Sequence, residues 1–283
     1  MTEAERHRAL VHDRWPDLRL ETFEPFGDGW DCFTYVVDRE WIFQFPRWDG
    51  AAAALRKQIE LLPGLAQEVS ATVPTPIFVS VDEPPCMGYP LIDGSPMDPS
   101  TGGFWPERLG RFLYDLHLVP PEFVGMRPSS AAAVRVAYRT QVDELGRHVL
   151  PLLSGNERVY AEGLIEAFFG DDANFRFATC LTHGDIGPAH VLLTEGGDLS
   201  GVIDWGDASV GDPADDLAWV LNAAPAVGER VLAAYGGPPD DRFVARTRFR
   251  FTIMPWFEAH YGVETGQPAF VESGLAGVRE RLG

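Results

Sequence analysis

Two hydrophobic periodicities divide this chain. Through the first ninety residues apolar side chains come in short alternating runs. Past a connector at 93–103 they recur mainly at helical spacing. A strand-built segment is therefore followed by a helix-built one. The first twenty residues alternate charged and apolar positions at helical spacing. Phe33 to Val37 and Trp41 to Phe45 read as strands joined at Asp38-Arg39-Glu40, with a Gly27–Gly29 turn before them. Residues 50 to 63 read as a helix ended by Pro63 and Gly64. Ile77 to Val81 and Tyr89 to Ile92 complete the early strands. Residues 104–118 and 130–169 are helical by periodicity. Short strands return at 190–194 and 200–204, and helix dominates from about 213, with loops at 236–241 and 262–268. This is an α+β chain of two lobes, a small β-rich one with one main helix and a larger helical one. The cleft between two lobes is a common place for a ligand.

Charge narrows the partners. Lys plus Arg total 23 against 42 Asp plus Glu, a net charge of −19. That disfavours a nucleic-acid binder, whose affinity comes from neutralising phosphates, and it disfavours an anionic membrane. It suits a cationic partner. Three widely spaced cysteines, with no C-x-x-C pair, make neither a disulfide framework nor a zinc cluster. No run of about eighteen apolar residues exists to span a membrane. The expectation is a cytoplasmic protein, monomeric or weakly dimeric.

The densest chemistry lies in LTHGDIGPAHVLLTEGGDLSGVIDWGDASVGDPADDLAW, residues 181 to 219. The strand-like runs on either side of Glu195–Asp198 make a hairpin. Its fold returns position 204 to position 190. Asp185, His190 and Asp204 can therefore meet at one end of the hairpin. Singly, Asp207, Asp212 and Asp215 fit turns and caps equally well.

These residues carry a resemblance. HGDIGPAH followed by IDWGDASVGDPADDLA is similar to the catalytic and metal-binding segments of the aminoglycoside phosphotransferase family, small-molecule kinases of protein-kinase-like fold. FGDGWDCFTYVVD resembles their nucleotide loop, WIFQFPR the strand that carries a phosphate-gripping cation, GYPLIDG the hinge, and LHLVP a further family segment. The resemblance implies that residues 1–92 form a nucleotide-binding lobe with a hinge at 89–93, and that 94–283 form the catalytic and acceptor lobe. It makes Asp185 the catalytic base and gives His190 and Asp204 to Mg2+. It assigns Gly27, Gly29, Gln44 and Gln58 to the phosphates, the backbone of Tyr89, Pro90 and Ile92 to the base, and Ile42, Leu192 and Ile203 to a sandwich around it. Plain core packing is the other reading of those three. Pro90 lacks an N–H and can only accept; Ile92 still has a donor.

Three positions depart from the family pattern. His190 stands where most relatives have Asn; macrolide phosphotransferases and one group of aminoglycoside kinases resemble this chain in having His there, which implies GTP as a donor alongside ATP. Gln44 and Gln58 replace a cation–carboxylate pair, and a Gln–Gln hydrogen bond would keep its geometry without its charge. Arg47, Arg56 or Lys57 would then supply positive charge. Cys32 takes the place of a third loop glycine. His183 is expected to hold its loop by hydrogen bonds, and Asp212 and Asp216 to serve loop and helix cap. The implied activity is phosphoryl transfer from ATP or GTP to a hydroxyl of an aminoglycoside or macrolide. The aromatic segment MPWFEAHYG lines the acceptor site or packs the core. The alternatives are a kinase for another small metabolite and a degenerate, non-catalytic nucleotide-binding homologue.

Overall fold

The computed structural model describes residues 1–27 and 29–282. Asp28, the middle of the Gly-Asp-Gly turn, lies outside the described residues. A capping box at Thr2 and Glu5 starts helix α1, Glu3–Arg14. Five antiparallel strands follow in the order β1-β2-β3-β5-β4: β1 Phe23–Pro25, β2 Cys32–Val37, β3 Trp41–Pro46, β4 Phe78–Ser80 and β5 Cys86–Pro90. Helix α2, Asp49–Leu65, interrupts them.

Strand alternation sets the two faces of this sheet. Phe43, Phe45, Tyr35 and Cys86 pack on Val11 of α1. Ile42, Met87 and Tyr89 turn to the other face, where Leu55, Leu61, Leu62 and Leu65 of α2 join them. That second cluster runs on without a break into Phe112, Trp205 and Leu217 of the C-terminal region. One core therefore links the sheet to the helices.

The C-terminal region holds helices α3 Trp105–Leu118, α4 Ala131–Val149, α5 Gly155–Gly170, α6 Ala214–Ala223, α7 Pro225–Tyr235, α8 Phe243–Thr265 and α9 Pro268–Leu282. A second core of α4, α5, α8 and α9 gathers around Trp256, Phe249 and Val142. Gly274 lets α9 lie on α8, for a Cβ there would stand 2.3 Å from the Ala259 nitrogen. Two small sheets sit among these helices. One is β6-β8-β9 (Ser95–Pro96, Val191–Leu193, Leu199–Val202); the other pairs β7 Cys180–Thr182 with β10 Ser209–Gly211.

The elements depart from expectation in identifiable ways. Helix α2 runs through Pro63 to Leu65, because Leu62 and Leu65 are fully buried and the packing outweighs one lost hydrogen bond. β5 runs from Cys86 to Pro90, starting three residues before and ending two before the expected Tyr89–Ile92. The span 130–169 is two helices, separated by Pro151 and by Ser154, which caps α5. The expected loop at 262–268 shrinks to Gly266-Gln267, with Gly266 left-handed at the end of α8. The three cysteines are free thiols, two of them buried. No helix among the described residues is long and apolar enough to cross a membrane.

Candidate active site

The β8–β9 hairpin pairs Val191 with Val202, and Ile203 N–H donates to His190 O at 2.9 Å. This brings the end of one strand beside the start of the other. His190 lies between two carboxylates, with Nδ1 3.3 Å from Asp185 Oδ2 and Nε2 3.6 Å from Asp204 Oδ2. The Asp185 carbonyl, 2.8 Å from His190 Nδ1, can only accept, so Nδ1 carries the proton. In the neutral ring the Nε2 lone pair then faces Asp204, and in the protonated ring an Nε2–H does. Asp204 itself has φ +65°. A left-handed aspartate is uncommon and gathers at functional sites.

The electrostatics of the trio follow from crowding. Partial burial pushes the Asp185 carboxyl up to about 6, with His190 opposing the rise and Asp207 and Asp204 adding to it. At neutral pH it is still largely ionised and able to accept a proton. Burial alone would lower the His190 pKa, but Asp185 and Asp204 hold it above the ordinary imidazole value.

Residues outside the trio hold the loop. His183 is fully buried; its Nε2 donates to Ile203 O at 3.0 Å and its Nδ1 accepts from Asp185 N–H at 3.2 Å. Asp216, in the first turn of α6, accepts from the backbone N–H of His183 at 2.9 Å and of Gly184 at 2.7 Å. It is not a helix cap. His117 of α3 bonds the same carboxylate at 3.0 Å and Tyr235 at 2.8 Å. These contacts hold Asp216 below the usual carboxylate range despite its burial. Gly184 takes φ +89°, with a Cβ position 2.8 Å from Asp207 O, so only glycine fits. Asp212 does act in a loop, accepting from Ala214 N–H, and it also pairs with buried Arg246 at 2.7 Å.

The nucleotide-side residues divide. Ile42 and Leu192 are buried, and Ile203 is half-buried beside the trio. Tyr89 is buried opposite Ile42. Leu91 N–H is committed to Glu40 O at 2.8 Å, which leaves the Ile92 amide as the donor in this segment to be tested. Gly27 is left-handed at φ +73°, and Gly29 is exposed. Gln58 is buried, with Nε2 3.8 Å from the point where a Gly206 Cβ would sit. Gln44 Oε1 is buried without a partner among the described residues. The Gln–Gln bond through that atom is therefore not made. Arg56 turns away to Glu83, and Arg47 lies over the Phe33 ring at 4.1 Å. Lys57 goes to the site instead: its Nζ donates to Gly206 O and Ala208 O, each at 2.7 Å. Burial lowers its pKa, with Asp207 acting the other way. Burial pushes the Cys32 thiol up to about 12, so it is no nucleophile. In MPWFEAHYG, Trp256 is core, whereas Tyr261 stacks on Trp30 of the glycine loop at 4.2 Å.

A profile of the phosphotransferase enzyme family matches residues 22–248. The chain belongs to that family. It is a small-molecule kinase of this group. The viomycin phosphotransferase of Streptomyces vinaceus is 28% identical over 261 residues, 86% of this chain and 88% of the relative. The GDP complex of wild-type aminoglycoside 2'-phosphotransferase-IIIa has a TM-score of 0.86 at 22% identity, over 99% of each chain. The macrolide 2'-phosphotransferase of Brachybacterium faecium gives a TM-score of 0.73 at 25% identity, over 98% and 97%. In this phosphotransferase the trio at the hairpin mouth is thus set in a kinase-like frame.

Asp216 reads from sequence as one more helix-start aspartate, and its role in holding the loop has no local signal. Lys57 is one of the three cations the sequence offers, and one of two basic residues on α2; which of them turns to the site is not marked in the sequence. LHLVP did mark the segment holding His117, but nothing in it points to Asp216.

Proposed function

We propose that this enzyme moves the γ-phosphoryl group of ATP or GTP to a hydroxyl of a small, cationic antibiotic. The observation that carries the reading is the meeting of Asp185, His190 and Asp204 at one hairpin mouth. The family match, and the relative that is a phosphotransferase for viomycin, support the antibiotic class.

The donor set fits Mg2+. The Asp204 carboxylate is exposed and hard, and His190 Nε2 stands 3.6 Å from it, with a lone pair to offer once the ring is neutral. Asp204 and His190 would hold the cation, which when bound neutralises charge on the phosphates. Magnesium prefers oxygen, so His190 is the weaker ligand of the two. Asp185 would orient the acceptor hydroxyl and take its proton as the new O–P bond forms and the bond from the γ-phosphorus to the β–γ bridging oxygen breaks, releasing ADP or GDP. Phosphoryl transfer asks mainly for such alignment and charge balance. Asp216 and His183 keep Asp185 in place through the loop backbone. Ile42, Leu192 and Ile203 would enclose the nucleotide base, with Tyr89 to Ile92 meeting its edge and Gly27, Gly29, Gln44 and Gln58 around the phosphates. On this reading residues 1–92 serve the nucleotide and 94–283 the acceptor.

Melting with ATP or GTP, each with and without Mg2+, tests the nucleotide half. A metal-dependent rise in Tm that is lost in Asp204→Ala is expected. A panel of aminoglycosides, viomycin and macrolides tests the acceptor half. Asp185→Asn should cut turnover by about a thousandfold while nucleotide affinity stays within about twofold. Turnover of every acceptor near wild type in Asp185→Asn would overturn the base assignment.

A further inference from the structure

The C-terminal half of α8 carries a second cluster of metal-ligating groups, away from the hairpin mouth. His148, in the last turn of α4, and His260 of α8 face each other with their Nδ1 atoms 2.6 Å apart. Their rings lie nearly parallel, 4.7 Å between centroids and 17° between planes. Glu264, one turn beyond His260 on the same helix, places Oε2 3.5 Å from His260 Nε2. One ligand atom from each of the three lies within 4.8 Å of the others. The imidazoles are half-buried and the carboxylate is exposed, so the cluster opens to solvent on one side.

We propose that His148, His260 and Glu264 form a site for a divalent transition metal of the Zn2+ class, distinct from the phosphoryl-transfer site. Two neutral imidazole nitrogens and one carboxylate make a three-ligand set for Zn2+, with solvent as the fourth ligand. With Nδ1 of each histidine as ligand, atoms about 2.0–2.1 Å from a tetrahedral ion stand roughly 3.4 Å apart, so the two Nδ1 atoms part by under about 1 Å and give up the hydrogen bond they share, and Glu264 turns from Nε2 towards that edge of the His260 ring. The set is built on two helices already packed in one core, which fixes the ligands beforehand. The next residue after His260 is Tyr261, whose ring stacks on Trp30 of the glycine loop. A metal joining α4 to α8 would therefore steady the helix face on which that loop rests. Mg2+, which prefers oxygen ligands, is not expected to use the site.

The test uses the full chain, stripped with a chelator and titrated calorimetrically with ZnCl2. Asp204→Ala separates this site from the hairpin mouth. In the Asp204→Ala background one equivalent of Zn2+ is expected, weakened at least about tenfold when His148→Ala or His260→Asn is added. In the Asp204→Ala background Zn2+ at one hundred times its Kd should raise Tm by about 4 °C or more, and Mg2+ should not. Co2+ should give a visible absorption band that is lost in His148→Ala. Glu264 is exposed, so Glu264→Gln keeps the fold and should weaken Zn2+ several-fold. Wild-type Zn2+ affinity in both His148→Ala and Glu264→Gln overturns the proposal, as does the loss of all Zn2+ binding in Asp204→Ala.

Discussion

At the mouth of the hairpin single side chains decide the chemistry, and Gln58 shows how charge and burial trade. A buried amide needs partners but carries no net charge. Gln58→Glu alone would bury a carboxylate with no cation at position 44, at a cost of about 3 kcal/mol. Adding Gln44→Lys should recover that loss and tighten nucleotide binding, read by melting and by nucleotide titration. A double variant no tighter than wild type would remove Gln44 and Gln58 from the phosphate site. Lys57 is a different case. Its ammonium is held by two carbonyls of the segment that follows Asp204. Lys57→Met leaves those carbonyls unpaired unless the segment shifts. Turnover should fall about tenfold, and hydrogen exchange over 204–208 should quicken, with global melting little changed. These residues were only partly legible beforehand. Asp185, His190 and Asp204 announce themselves through the spacing of a hairpin. Lys57 reaches a loop some 150 positions away, and no local pattern encodes that.

Helix α1 shows an element held by aromatic packing rather than by its own amphipathicity. His7 is buried, stacks on Phe45 at 4.2 Å and shares a hydrogen bond with Tyr35 OH at 2.9 Å. Burial lowers its pKa below the usual 6.5, with Glu3 opposing. The folded state therefore keeps His7 neutral where the unfolded chain takes a proton. Its contribution is present above pH 6.5 and is lost as pH falls through the depressed value. His7→Gln keeps a partner for Tyr35 without titrating. Between about pH 7.5 and about pH 5.5 its Tm should drop less than that of wild type, by about 2 °C or more. Strands such as β7 and β10, three residues each, escaped the periodicity because they are too short to show it. They form only because β10 is brought back to β7 by the hairpin between them.

At the scale of the whole molecule the net charge is −19, and three carboxylates crowd the hairpin mouth. Asp185, Asp204 and Asp207 raise the negative potential at the proposed acceptor site, and Lys57 spends its donors on carbonyls. A polycationic acceptor would be drawn in by this field. Its KM should rise about fivefold between about 0.05 M and about 0.5 M KCl while kcat changes little, since salt screens approach more than it does the bound geometry. An acceptor KM indifferent to salt would separate the acidic composition from substrate capture.

The linear order of residues by itself determined the sheet-then-helix division, the hairpin, and the convergence of Asp185, His190 and Asp204. All of these follow from local periodicity and short loops, which act over a few residues. Only the tertiary structure decided that Asp216 and His117 hold the Asp185 loop, that Lys57 crosses to the Asp204 segment, that Gln44 Oε1 lacks a partner among the described residues, and that His148 meets His260. Each of these depends on packing between elements far apart in the chain. The burial and the partners of a polar group are set by that packing and leave no period in the sequence.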